Sequence, residues 1–277
     1  MSGSAGPGAD GSRRASLLDN VKAPLRRLRA DYRTLTAPLR GLPSVLILGT
    51  QKGGTTSLFN YLARHPDVLP PFGKEIHYFD LHYARGVQWY RGRFPYQYRL
   101  GGAALTLDAS PYYLFHPQAP SRAARLLPSA RLIVLLRNPV DRALSHYQHE
   151  VRGGREPLSF EAAIDQEAER LAGEEERLRA EPGYYSFNHH RYGYAGRGHY
   201  VAQLRRWVEH YPRSQLLVLQ SERLFRDPAA AVGTVQQFLG LRAHRGESYK
   251  PFLQGDYARE MRSELRRRLA AYFEPHN

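Results

Sequence analysis

Apolar residues in this chain gather into a few short continuous runs, separated by longer stretches where they recur every three or four positions. Ser44-Val-Leu-Ile-Leu-Gly49 and Arg131-Leu-Ile-Val-Leu-Leu136 are two such runs. A run of that length without polar alternation predicts a strand buried on both faces. Residues 105–108 and 215–220 predict two more strands. Helical spacing follows the first run through Leu58, Phe59 and Leu62 and stops before His65-Pro66. It follows the second from Pro139, suited to a first helical turn, to about Glu150. Residues 201–210 and 229–239 read as amphipathic helices, and 160–180 as one polar, exposed helix. Strands alternating with helices predict an α/β fold, a central parallel sheet flanked by helices on both faces. No internal repeat interrupts it.

Residues 1 to about 15 are Gly, Ser, Ala and Arg with almost no large apolar side chain, which predicts disorder. Residues 21–40 mix leucine and arginine around Pro24 and Pro38 and suit a short docking helix. The expected division is therefore a disordered or loosely docked arm over residues 1–40 and one folded domain over 41–277.

Composition changes this picture in three ways. The formal charge is +14, but lysine occurs only at Lys22, Lys52, Lys74 and Lys250. The charge is scattered, with local density at Arg13, Arg14, Arg26, Arg27 and Arg29 and again at Arg266–Arg268. It reads as a solvated basic surface, or as attraction for an anionic ligand. The absence of cysteine excludes disulfides, thiolate metal sites and a cysteine nucleophile. The N-terminus lacks the apolar stretch of a signal peptide and no run is long enough to span a bilayer, so the expectation is a soluble cytoplasmic protein.

Gly49-Thr-Gln-Lys-Gly-Gly-Thr-Thr-Ser57 joins the first strand to its helix. Gly53 and Gly54 let backbone N–H groups approach an anion, and the helix start presents further N–H groups and the positive dipole end. Lys52 adds a charge, and Thr55, Thr56 and Ser57 add hydroxyl donors. An ordinary strand-to-helix turn needs one glycine and no lysine. The nucleoside-triphosphate loop places lysine immediately before a Ser or Thr that holds magnesium. Here lysine precedes the glycine pair, and the second strand ends in Arg137-Asn138 rather than in a magnesium-binding aspartate. Both departures disfavour a nucleotide kinase. A basic nucleic-acid-binding protein would explain the charge but not this loop, and no nucleic-acid fold signature occurs.

Gln51-Lys-Gly-Gly-Thr-Thr-Ser57 resembles the 5′-phosphosulfate loop of sulfotransferases, and Arg137-Asn-Pro-Val-Asp-Arg-Ala-Leu-Ser145 resembles their 3′-phosphate motif. Lys74-Glu-Ile-His-Tyr-Phe-Asp80 resembles the segment carrying the catalytic glutamate in the branch of heparan sulfate N- and 3-O-sulfotransferases. The resemblance runs from roughly Val45 to Leu241 in motif order. It implies a P-loop-like three-layer sandwich. It also implies transfer of a sulfuryl group from 3′-phosphoadenosine 5′-phosphosulfate (PAPS) to a hydroxyl or amine of a carbohydrate, lipid or small metabolite. By that resemblance Lys52 contacts the phosphosulfate near its bridging oxygen, while Gly53, Gly54, Thr55, Thr56 and Ser57 hold the 5′ end. Arg137 and Ser145 hold the 3′-phosphate, Glu75 is the general base, and His77 is a reserve base or orienting group. The resemblance requires no metal, no nucleic acid and no membrane span.

Several features depart from that pattern or lie outside it. Asp108-Ala109 stands where heparan sulfate members often carry Glu-Lys, which removes a cation suited to a sulfated or carboxylated sugar. Tyr112, Tyr113 and the tyrosines from Tyr184 to Tyr200 are candidates to line an acceptor cleft or to pack beneath loops. His189-His190 are expected in an exposed loop, pointing apart, and not as metal ligands. Arg245 to Lys250 answers only loosely to the family's basic cofactor-covering segment, and the chain ends at Asn277 just after a helical, arginine-rich stretch where relatives continue.

Overall fold

The computed structural model describes residues 28–100, 104–246, 248–249 and 261–276. Four strands, β1 (Val45–Gly49), β2 (Leu107–Ala109), β3 (Arg131–Leu136) and β4 (Leu216–Gln220), form one sheet in the order β2-β1-β3-β4. Every pairing is parallel, with Val45 opposite Leu107 and Arg131, and Leu132 opposite Leu216. Helices are α1 (28–35), α2 (Thr55–Leu62), α3 (Gly86–Arg91), α4 (Ala119–Leu126), α5 (Pro139–Arg152), α6 (Phe160–Asp165) and α7 (Glu167–Leu171). They continue as α8 (Glu174–Ala180), α9 (Phe187–Arg191), α10 (Tyr200–Val208), α11 (Ser221–Arg226), α12 (Pro228–Leu239) and α13 (Ser263–Phe273).

The strand period of two divides the core. Leu46, Leu48, Leu132 and Val134 face one side, against Tyr78, Tyr90, Tyr113 and Trp207. Val45, Ile47, Ile133 and Leu135 face the other, against α2 and α12 through Leu58, Leu62, Val232 and Val235. Burying each such aliphatic side chain contributes roughly 1.5–3 kcal/mol. Both faces are filled, as the unbroken apolar runs predicted, and the result is a P-loop-like three-layer α/β fold. A third cluster joins α5 to the C-terminal α13 through Val140, Leu144, Leu265, Leu269 and Phe273.

Two helical expectations change. Residues 160–180 form three short helices rather than one, with one break at Gln166 and a second where Gly173 takes a left-handed φ of 72° between α7 and α8. The segment is not wholly exposed either, since Phe160, Ala163, Glu167 and Leu178 are buried. The basic density at Arg266–Arg268 is in part internally compensated, with Arg266 on Asp141 at 2.6 Å and Arg268 on Asp165 at 2.7 Å. Residues 28–35, within the expected arm, are helical. The expected disorder of residues 1–15 lies outside the described residues, as does part of the Arg245–Lys250 segment.

Candidate active site

β1 and β3 are neighbours, so the loops that leave their carboxyl ends lie side by side, where open α/β sheets bind ligands. The first loop folds back onto β3. Thr50 N–H donates to Leu135 O at 2.8 Å, and Gly53 N–H to Thr50 O at 2.9 Å. A Cβ on Gly53 would come within 2.9 Å of Leu135 O, so close approach to the sheet requires glycine there. Gly54, at φ 93°, precedes α2 without any side-chain cap, and the helix has no acidic residue in its first turn. The helix start thus carries no side-chain cap and no negative charge, an arrangement that suits an anion.

At the end of β3, Arg137 donates to the Lys52 carbonyl at 3.0 Å and so ties the two loops together. Asn138 caps α5 by accepting from Val140 N–H at 3.0 Å and Asp141 N–H at 3.3 Å, which fixes the direction of the helix carrying Ser145. The Tyr200 hydroxyl donates to Arg137 O at 2.7 Å from α10. A cavity of about 610 Å³ opens between these elements, and Lys52, Gly54, Thr55, Thr56, Ser57, Glu75, His77, Arg137 and Ser145 all line it. Gly53 does not line it and serves instead as the contact with β3.

The segment after Lys74 brings the acid–base candidates together. Glu75 Oε1 lies 2.5 Å from the Lys74 ammonium, and Glu75 Oε2 lies 3.8 Å from His77 Nε2, an ion-pair separation rather than a hydrogen bond. His77 Nδ1 is 2.8 Å from Asp80 Oδ2. The imidazolium of His77 and the Lys74 ammonium hold Glu75 down to about 2. Burial opposes charge on His77, but Asp80 and Glu75 outweigh it and raise His77 to about 10. In the ligand-free site this favours the imidazolium form of His77 at neutral pH, with Asp80 and Glu75 as its two anionic neighbours. Burial, then Arg152 and Arg137, lower the Lys52 ammonium. Lys52, Glu75 and His77 are the non-glycine residues with positive φ among those described, at 69°, 58° and 54°. Such conformations cost on the order of 1 kcal/mol or more and gather at functional sites.

Buried groups under this segment fix it. Asp108, fully buried on β2, accepts from Tyr90, Ser110 and Tyr113 at 3.0, 2.9 and 2.8 Å. Ser110 in turn accepts His77 N–H at 3.0 Å, and Tyr113 accepts Tyr78 N–H at 2.7 Å. Burial raises the Asp108 pKa against the pull of these three donors. Asp108 and Ala109 are therefore interior residues, not part of an acceptor-facing surface, and Tyr113 likewise lies in the core.

His189 and His190 also depart from expectation. They sit on α9 and are buried, not in an exposed loop. His190 lines the cavity and stacks on Tyr112 at 4.5 Å, and burial, then Arg197 and Arg191, push it down to about 2. His189 is turned to the Tyr112 hydroxyl at 2.7 Å and stacks on Phe115.

Arg197 was not singled out by the sequence. It is buried, donates to Gln51 Oε1 and to the carbonyls of His189 and His190, and burial lowers it to about 10. Lys52, Arg137, Arg152, Arg191 and Arg197 line the cavity against the single carboxylate of Glu75. That balance suits a ligand carrying several negative charges. Leu224, Phe225, Pro228 and Tyr249 make one wall apolar. A second cavity of about 470 Å³ shares Leu81 and Tyr112 with the first and is walled by Tyr83, Tyr184, Tyr185 and Arg122.

The charged triad has a consequence for stability. The His77 contribution, raised above the ordinary 6.5, is complete below about pH 6.5 and is lost as pH rises through about 10. The Glu75 contribution, lowered from 4.5, is complete above about pH 4.5 and is lost as pH falls through about 2. Both are whole only between those limits. The Glu75 side chain is 47% exposed and solvent screens it, so His77 carries most of the effect. The urea midpoint of the ligand-free protein is expected to fall between pH 6.5 and 10 more steeply than that of His77→Gln. Equal slopes would show that His77 is not charged in the folded state.

An α/β sheet whose adjacent strand ends carry the Lys52 glycine loop and the Arg137 turn, both lining one cavity with Glu75 and His77, frames a site of the transferase class. The chain belongs to the sulfotransferase family: the family model for the sulfotransferase domain matches residues 42–269. It is 36% identical over 203 residues to heparan sulfate glucosamine 3-O-sulfotransferase 6 of Mus musculus, covering 73% of this chain and 54% of that one. It is 32% identical over 215 residues to the bifunctional heparan sulfate N-deacetylase/N-sulfotransferase 3 of Homo sapiens, covering 73% and 23%. The chain thus spans about half the length of the first relative and about a quarter of the second. A solved sulfotransferase from Alicyclobacillus acidocaldarius superposes with a TM-score of 0.60 at 34% identity, over 85% of this chain and 93% of that one. Among the described residues no helix is long and apolar enough to cross a membrane.

Proposed function

We propose that the protein transfers a sulfuryl group from PAPS to a hydroxyl or amine of a carbohydrate acceptor, with Glu75 as general base. The observation that carries this reading is the single cavity in which the Lys52 loop, the Arg137–Ser145 pair and the Glu75–His77–Asp80 segment meet. The residues fit the donor. The uncapped start of α2 with Thr55, Thr56 and Ser57 would take the 5′-phosphosulfate, Arg137 and Ser145 the 3′-phosphate, and the wall of Leu224, Phe225 and Tyr249 the purine. The donor supplies an activated sulfuryl group whose bridging oxygen becomes the leaving phosphate.

In this reading Lys52 neutralises charge that develops on that bridging oxygen as the sulfur–oxygen bond breaks. Glu75 accepts the proton of the acceptor as its oxygen or nitrogen bonds to sulfur, giving the sulfated acceptor and adenosine 3′,5′-bisphosphate. The low pKa of Glu75 belongs to the ligand-free site. Anionic phosphosulfate beside it raises its proton affinity at the moment a base is needed. His77, held by Asp80, keeps the carboxylate oriented. The named activities of the relatives support a carbohydrate acceptor. So does the adjoining tyrosine-walled cavity, since aromatic faces stack on sugar rings.

Calorimetric titration with adenosine 3′,5′-bisphosphate, beside ATP with magnesium, tests the donor assignment. Tight bisphosphate binding is expected, weakened at least about tenfold in Arg137→Ala, because a charge-assisted bond to phosphate contributes about 1.5–3 kcal/mol. Preference for ATP with magnesium would replace this reading with a kinase.

A further inference from the structure

The most exposed apolar surface lies just before β1 in the chain and contributes no residue to the active-site cavity. Leu28, Tyr32 and Leu35 recur at helical spacing on α1, and Leu39 continues the row on the 3-10 turn Ala37–Leu39. They are 67%, 55%, 81% and 65% exposed. Tyr98, 80% exposed, extends the row, because Tyr96 stacks on Tyr98 and meets the Tyr32 hydroxyl at 2.7 Å. The segment is anchored from beneath. Ala37 and Arg40 are buried, Arg40 donates to Phe94 O at 3.0 Å, and the Arg33 guanidinium lies 4.1 Å from the Phe72 ring centre. Outward orientation of the leucines is therefore fixed by the fold.

A group of like charges accompanies this row. Burial and then the nearby Arg40 and Arg29 lower the pKa of Arg33, and burial and then Arg33 and Arg85 lower that of Arg93. Among the described residues no ion pair reaches Arg29, Arg33, Arg40, Arg85 or Arg93. Asp31, the carboxylate on α1, makes none. The surface thus joins an apolar ridge to Arg29, Arg33, Arg85 and Arg93, which make no ion pair among the described residues, with Arg40 buried beneath them.

We propose that the ridge of Leu28, Tyr32, Leu35, Leu39 and Tyr98, with its flanking arginines, seats the protein on an anionic lipid bilayer. A second copy of the chain is a poor occupant, because joining two such faces would bring two uncompensated arginine clusters together on a chain of formal charge +14. The side chains stand out as a ridge and line none of the three main cavities, which suits a deformable surface better than a shaped protein groove. Leucine and tyrosine on one helix face with arginine beside them is the composition of an interfacial helix, in which apolar burial and attraction to acidic headgroups act together. Binding of this kind is peripheral and needs no spanning helix.

Co-sedimentation of the full chain with vesicles tests it, using phosphatidylcholine alone and phosphatidylcholine with phosphatidylglycerol. The wild-type protein is expected to pellet with the mixed vesicles and to be released by salt. The double variant Leu35→Glu/Leu39→Glu, at two exposed positions, is expected to lose at least about tenfold in apparent affinity with its melting curve unchanged. Arg268→Gln, remote from the ridge, controls for bulk charge and is expected to bind as the wild type does. Equal partitioning of the double variant and the wild type would overturn the proposal, since charge alone would then suffice. So would wild-type protein left in the supernatant, or a concentration-dependent dimer that the double variant abolishes.

Discussion

Glu75→Gln is expected to lower turnover about 10²- to 10⁴-fold, the range for a positioned general base, while binding of adenosine 3′,5′-bisphosphate stays within about twofold of wild type. Glutamine keeps the shape of the side chain but cannot take the acceptor's proton. It also leaves the imidazolium of His77 facing a neutral amide at one of its two anionic partners. The bisphosphate should scarcely notice, because Arg137, Ser145 and the start of α2 lie on other elements of the cavity. Steady-state rates with a carbohydrate acceptor, together with calorimetry, separate the two effects. Turnover within a few-fold of wild type would remove Glu75 from the chemistry and leave proton acceptance to another group.

Lys52→Ala is expected to cost about 10²- to 10³-fold in turnover, equivalent to one electrostatic donor at a developing charge. A paired substitution distinguishes chemistry from folding. Lys52 has a φ of 69°, which glycine adopts without the steric cost of a Cβ. Lys52→Gly should therefore lose as much turnover as Lys52→Ala, yet be the more stable of the two by about 1 kcal/mol, or about 2–4 °C in Tm for a domain of this size. Single-turnover rates and thermal melts on both variants give the comparison. A Lys52→Ala enzyme with nearly wild-type rates would dismiss the charge. A Lys52→Gly protein no more stable than Lys52→Ala would dismiss the strain.

The readable parts of this chain were those in which local chemistry is unusual for its surroundings. β1 and β3 stood out because strands covered on both faces need unbroken apolar runs, and Lys52 because the protein otherwise uses arginine almost throughout. Arg197 is as central to the cavity, but nothing local separates it from the other arginines. Its place comes from Glu167, which accepts the N–H groups of Ala195 and Gly196 at 2.6 and 2.7 Å across a long sequence separation. Asp80 lay in a quoted motif, yet its pairing with His77 depends on the left-handed turns at Glu75 and His77, and residue type does not announce those. His189 and His190 were expected in an exposed loop because adjacent histidines on an extended segment point apart. In the fold the short α9 buries them against Tyr112 and Phe115. The second break in residues 160–180 did have a local signal, Gly173, which the polar character of the segment concealed.

The strand order has a consequence for the chain while it is being made. β1 lies inside the sheet and all five of its residues are buried, but its neighbours β2 and β3 are synthesised about 60 and 85 residues later, at Leu107–Ala109 and Arg131–Leu136. Until β3 has left the ribosome, Val-Leu-Ile-Leu has no complete partner, and parallel pairing cannot be replaced by a local hairpin. The last strand, Leu216–Gln220, closes the other edge only when most of the chain is complete. Translation therefore passes through a prolonged interval in which a strongly apolar segment of the protein is unprotected. Over that interval the nascent chain carries the aggregation hazard of an unpaired apolar strand.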